Sequence, residues 1–262
     1  MSGFRAGAGA LLAALALAAC TVAVDGGFLG RSLPDGAQRS RTILIIYNHG
    51  FSSETAGAYR PTLPPILETA RVRNPDVVVF SQLRNSNRLE AVDHAQYIAA
   101  AVETFRRDGV PIEHMILAGQ SCGGWGSLQA AAFLYPRIGG VLAFAPTCHG
   151  RLPHPAEITI RRATEIHELA DRVRAPGVIF LYEGDSYYDV TEWDGFETGR
   201  PGELRVERLS RGMVLQLCSQ CARDSHGVVW DTKFVPAYFE TRVQPLIDRV
   251  RERMRLGSAA RR

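Results

Sequence analysis

The chain of 262 residues is 46% apolar and 22% charged, enough apolar sequence to bury a sizeable core within one large domain. Near-average Gly and Pro and the lack of long heptad runs exclude collagen-like and coiled-coil classes, and the apolar content excludes dominant disorder. A formal charge of +3 leaves no nucleic-acid footprint, and the basic residues are arginine throughout except Lys233.

The chain begins MSGFRAGAGALLAALALAAC, in which Arg5 precedes an Ala/Leu-rich stretch of roughly a dozen residues that ends in small side chains. That stretch is shorter than the about 20 apolar residues of an ordinary membrane-spanning helix. Residues 1–19 therefore read as an export signal. The tetrapeptide Leu17-Ala18-Ala19-Cys20 resembles the lipobox of bacterial lipoproteins. The resemblance implies lipidation of Cys20 and anchoring in the bacterial envelope through the N-terminal lipid, and Thr21 in place of Asp implies the outer membrane. A plain cleaved signal, giving a periplasmic or secreted protein, and an uncleaved anchor are the alternatives. Residues 20–40 are expected to form a polar, Gly-rich tether, followed by a catalytic domain over 41–255 and a frayed tail over 256–262.

From Arg41 onward, short apolar runs alternate with helical patterns. Strands are predicted over 42–48 (TILIIYN), 76–82 (DVVVFSQ), 114–120 (HMILAGQ), 141–146 (VLAFAP), 178–184 (VIFLYEG) and 213–218 (MVLQLC). Helices are predicted over about 89–107, where Leu89, Val92, Ile98, Val102 and Phe105 share a face, and over 125–135, 159–173 and 232–254. Continuous apolar strands separated by helices indicate a mostly parallel α/β sheet covered on both faces, in a single domain.

Between the strand at 114–120 and the following helix stands Gly119-Gln120-Ser121-Cys122-Gly123, a G-x-S-x-G sequence. The glycines allow a sharp strand-to-helix turn that projects the serine hydroxyl at a helix N-terminus, where N–H groups favour developing negative charge. A serine hydroxyl needs a base to take its proton and a carboxylate to orient that base. Asp185 follows the strand VIFLYEG, and His226 lies in a loop after the last predicted strand, 213–218. Glu183, Asp189, Asp194 and Asp224 are the other carboxylates considered.

With this elbow and this order of serine, acid and histidine, residues 41–255 resemble the α/β-hydrolase family. GQSCGGW is most similar to the dienelactone-hydrolase and prolyl-oligopeptidase branches. The resemblance implies a serine esterase working through an acyl-enzyme on a small-molecule ester, with no cofactor and no metal. It assigns Ser121 as nucleophile, Asp185 as acid and His226 as base. It makes the loop after the first strand, with Phe51 and next to it Ser52, a partner of Cys122 in the oxyanion hole, ordered by His49. A peptidase or amidase, an acyltransferase, and a non-catalytic surface lipoprotein remain as alternatives.

His94, His114 and His167 read as packing or surface residues, whereas His149 and His154 flank a loop on the edge of the sheet that carries the site. Tyr187, Tyr188, Trp193 and Phe196 read equally as a pocket wall or as a packed loop. Cys122, Cys148, Cys218 and Cys221 converge on the same edge, with at least one disulfide expected there in an oxidising compartment and the pairing open. Cys218-x-x-Cys221 lacks a second such pair, so a zinc site is not expected.

Overall fold

The structure, a computed structural model, describes residues 24–50, 62–83, 91–197 and 204–259. The predicted export signal, Cys20, and the predicted oxyanion residue Phe51 with Ser52 lie outside these residues.

The core is one sheet. Six strands run parallel: β2 (Ile43–Asn48), β3 (Val77–Leu83), β4 (Met115–Gln120), β5 (Gly140–Phe144), β6 (Gly177–Tyr182) and β7 (Leu204–Leu209). The edge strand β1 (Asp25–Phe28) pairs antiparallel with β3, giving the order β1-β3-β2-β4-β5-β6-β7. Strands β2, β4, β5 and β6 are buried along their full length. Their near-unbroken Ile, Leu, Val and Phe sequences are those of strands covered on both faces.

Helices α1 (Pro65–Arg73), α2 (Ala91–Arg107), α3 (Cys122–Gln129), α4 (Ala156–Arg172), the single turn α5 (Asp194–Glu197), α6 (Arg211–Leu217), α7 (Phe234–Tyr238) and α8 (Gln244–Ala259) connect and cover the strands. On α2, Ile98, Val102 and Phe105 are buried as their spacing predicted. A π-helical stretch, Ala130–Leu134, continues α3, and another, Phe239–Val243, joins α7 to α8. Among the described residues no helix is long and apolar enough to cross a membrane.

Five of the six predicted strands and all four predicted helices are present within a few residues. The sixth is corrected. MVLQLC forms α6, whose N-cap Ser210 accepts a hydrogen bond from the Met213 N–H. Only Val214 of that helix is buried, with Met213 and Leu215 each 40% exposed, so its apolar residues do not fill a strand's two faces. The last strand is instead LRVERL, β7, which tolerates Arg205, Glu207 and Arg208 because it is an edge strand.

Two further differences concern the ends. The stretch expected to be a tether contributes β1, with Phe28 packed edge-on against Phe80 and Phe105. At the other end, α8 continues to Ala259, past the boundary expected at 255. Helix α1, with Pro65 in its first turn, was not anticipated from the sequence.

Candidate active site

Ser121 sits between β4 and α3 with φ 56° and ψ −126°, outside the regions that L-residues usually occupy. Its neighbours explain how the turn closes. A Cβ on Gly123 would stand 1.9 Å from the Asn48 carbonyl oxygen, and one on Gly119 would stand 2.3 Å from the Gly123 carbonyl group. Only glycine fits at either position, and the elbow is wedged against the end of β2. Gly50 approaches from β2 as well, since a Cβ there would lie 2.9 Å from the Ser121 Cβ. Asn48 donates from Nδ2 to the Ala118 carbonyl and to Ser127 Oγ, and Ser127 Oγ donates to the Gly123 carbonyl at 2.7 Å.

The strained residue is held on both sides. The Ser121 N–H donates to the Phe144 carbonyl at 2.9 Å, while the Ser121 carbonyl accepts from Trp125 N–H at 2.9 Å and from Thr147 N–H at 3.3 Å. Cys122, the first residue of α3, is bonded through sulfur to Cys148, in the loop after β5. A helix N-terminus, a fixed turn and a disulfide thus meet at the serine, and the N–H groups opening α3 favour negative charge there.

Asp185 and His226 are brought together from separate loops. His226 Nδ1 lies 2.7 Å from Asp185 Oδ2, so the imidazole donates from Nδ1 and keeps Nε2 for another partner. The Asp185 carboxylate has no exposed side-chain surface, and its Oδ1 accepts from the Tyr187 N–H at 2.8 Å. Burial pushes the Asp185 carboxyl above its ordinary range, opposed by the hydrogen bond and charge of His226. The ring of Tyr187 packs on the imidazole at 4.3 Å, and the Gln120 side-chain amide donates to the His226 carbonyl.

The other carboxylates do different work. Asp189 caps the short turn Val190–Trp193, Glu183 accepts from the Arg211 N–H at 2.7 Å, and Asp194 pairs with Arg208. Asp224 accepts from the His226 backbone N–H at 3.0 Å. Both disulfides lie near this edge: Cys122–Cys148 at the elbow and Cys218–Cys221 in the segment leading to His226.

Of the four aromatic residues expected to wall a pocket or pack a loop, Tyr188, Trp193 and Phe196 are buried packing residues, and Tyr187 alone touches His226. The Tyr188 hydroxyl accepts from the Tyr182 N–H at 3.0 Å, and burial keeps it protonated by pushing its pKa far up. His49 is buried, with Nδ1 donating to the Gly50 carbonyl at 2.6 Å. His94 and His114 are buried, His154 is half-buried and His167 is exposed.

His149 belongs to a buried polar cluster that the sequence did not reveal. Arg162 of α4 is 1% exposed. It places Nε and Nη2 on Glu192 Oε2 at 2.8 and 2.6 Å, and Nη1 on Thr147 Oγ1 at 2.9 Å and on His149 Nδ1 at 3.2 Å. Because guanidinium only donates, His149 accepts at Nδ1 and carries its proton on Nε2, 3.2 Å from Glu165 Oε2. The guanidinium also stands over the Trp125 ring at 5.4 Å.

No known protein-family profile and no curated relative matches the chain. Solved structures do. A monoacylglycerol lipase from Paleococcus ferrophilus is 10% identical, with a TM-score of 0.57 over 87% of this chain and 100% of that one. A protein named DcsB, solved with a substrate analogue, is 14% identical, with a TM-score of 0.58 over 87% of this chain and 94% of that one. A thermostable esterase is 13% identical, with a TM-score of 0.54 over 87% of this chain and 62% of that one. At such identities the likeness is one of fold. Together with the mostly parallel seven-stranded sheet, it shows that this chain has the α/β-hydrolase fold in a single domain.

Proposed function

We propose that the protein is a serine hydrolase of carboxylic esters that works through an acyl-enzyme. The observation that carries this reading is the 2.7 Å bond of His226 Nδ1 to a fully buried Asp185 carboxylate, in a chain whose G-x-S-x-G elbow holds Ser121 at φ 56° and whose Gln120 donates to the His226 carbonyl. The ester hydrolases among the solved structures of like fold support the class of substrate.

In the first half-reaction His226 Nε2 takes the Ser121 proton as Oγ attacks the ester carbonyl, and Asp185 stabilises the imidazolium. The carbonyl oxygen becomes an oxyanion, held by the Cys122 N–H and by a second N–H from the segment containing Phe51. The intermediate collapses, His226 gives the proton to the departing alcohol, and Ser121 is left acylated. Water, deprotonated by His226, then attacks the acyl carbon, and the acid leaves with Ser121 restored.

A fluorophosphonate probe and p-nitrophenyl esters of graded chain length test this. Wild type is expected to be labelled and to hydrolyse the short esters, and Ser121→Ala to lose the label and about 10⁶ in kcat. Retention of hydrolysis by Ser121→Ala would overturn the assignment. A wild-type protein that takes no label would instead be a binding module.

We also propose export and lipidation at Cys20, on the strength of Leu17-Ala18-Ala19-Cys20 and of two disulfides suited to an oxidising compartment. Metabolic labelling with a radioactive fatty acid should mark the wild type and not Cys20→Ala. A wild type that stays unlabelled in the envelope would reduce this to plain secretion.

A further inference from the structure

The segment Asp224-Ser225-His226 is laced to Gly184-Asp185-Ser186 residue by residue. Asp224 Oδ1 accepts from the Ser186 N–H at 3.2 Å, and its Oδ2 accepts from Ser186 Oγ at 2.6 Å. Ser225, fully buried, donates its N–H to the Gly184 carbonyl at 3.2 Å. His226 meets Asp185 through its ring, and its backbone N–H returns to Asp224 Oδ1 at 3.0 Å. One carboxylate therefore gathers three donors from the two loops that supply the acid and the imidazole.

We propose that Asp224 is the positioning residue of His226: it locks the base loop to the acid loop. This rests on the reading of His226 as the base. The donors come from both sides of the pair, Ser186 following Asp185 and the N–H of His226 itself, so losing the side chain frees both loops at once. Burial would raise the Asp224 carboxyl, yet the bonds from Ser186 and the His226 N–H hold it below the ordinary carboxylate range.

Among the described residues, three further side chains meet the imidazole or the Asp224 carboxylate. Asp185 bonds the imidazole, Tyr187 packs on its face, and Arg151 stands 3.7 Å from Asp224 Oδ2 while lying over the Tyr187 ring. Arg151 is 64% exposed, so water and salt screen its share, whereas the three bonds to Asp224 are short and mostly shielded.

The test is steady-state hydrolysis of p-nitrophenyl acetate by wild type, Asp224→Ala, Asp224→Asn and Ser186→Ala. Alanine at 224 removes the acceptor of three donors and is expected to lose on the order of 10–100-fold in kcat, with KM little affected, because the base is displaced. Asparagine keeps an acceptor for the two N–H groups and is expected to restore most of that loss. Ser186→Ala removes only the 2.6 Å bond to Asp224 Oδ2 and is expected to fall between wild type and Asp224→Ala. If Asp224→Ala fails to fold, Ser186→Ala carries the test, and a kcat equal to wild type in the folded alanine variants would overturn the proposal. Ser121→Ala, run alongside, separates the two readings. Activity surviving in Ser121→Ala removes the base assignment itself, whereas an inactive Ser121→Ala with fully active alanine variants at 224 and 186 removes only the role of Asp224.

Discussion

Cys122, whose N–H opens the helix behind Ser121, is joined covalently to Cys148 at the mouth of the loop that follows β5. The same loop donates the Thr147 N–H to the Ser121 carbonyl. The elbow is thus tied to β5 and the loop after it by one covalent link and two polar ones, from Thr147 N–H to the Ser121 carbonyl and from Ser121 N–H to the Phe144 carbonyl.

The bridge closes a loop of sequence separation 26, for which chain-entropy reasoning gives about 3.5 kcal/mol. Cys148→Ser is expected to lower stability by about that amount and to reduce kcat more than it raises KM. Thermal unfolding with and without reductant, beside steady-state kinetics, checks both parts. A variant as stable and active as wild type would show that the bridge constrains nothing.

Gly123→Ala should be far more damaging than its size suggests. The added methyl would meet the Asn48 carbonyl oxygen at 1.9 Å and the His49 carbonyl oxygen at 2.6 Å, both backbone atoms that cannot swing aside. A loss of about 4 kcal/mol or more is expected, enough to abolish soluble protein. Gly195→Ala, where an added Cβ meets nothing within 4 Å, serves as the near-neutral control.

Arg162, 1% exposed, pairs with Glu192, whose side chain keeps 23% of its surface in solvent. Removing Glu192 alone strands a guanidinium out of water, so Glu192→Ala is expected to cost about 3–5 kcal/mol. Arg162→Met combined with Glu192→Leu replaces both charges with apolar groups and should cost much less. Urea unfolding of the two variants decides it, with equal losses ruling against the desolvation account.

Acid stability has a separate source in Asp76, which pairs with Arg251 at 2.7 Å. Burial would raise this carboxyl, but the hydrogen bond and charge of Arg251 bring it below its ordinary value. A depressed carboxyl contributes stability that is present above the unfolded value near ~3.9 and is lost as pH falls through the lower folded value. The pair is partly solvent-exposed, so the contribution should stay below about 1 kcal/mol. Asp76→Asn is expected to flatten the difference in melting temperature between neutral pH and the acid end. An unchanged acid limb in that variant would deny the pair any such role.

The parts of this protein legible in the sequence are those set by local chemistry. Buried parallel strands must be apolar on both faces, so ILIIYN, VVVF, MILAGQ, GVLAF and GVIFLY declare themselves, and the elbow declares itself because only glycine fits beside Ser121. Edge strands carry no such constraint: β1 is hidden in a Gly-rich stretch and β7 among Arg and Glu, while the apolar MVLQL went to a helix. The tertiary structure alone decided matters that depend on which distant groups meet. It paired Cys122 with Cys148 and Cys218 with Cys221, and set Tyr187 on His226 while sending Tyr188, Trp193 and Phe196 inward. It buried Arg162 against Glu192 and gave the His226 imidazole to Asp185 and its backbone to Asp224. Residue types and spacing restrict such partnerships to a few candidates, and the choice among them is made by packing, which brings together side chains dozens of positions apart in the chain.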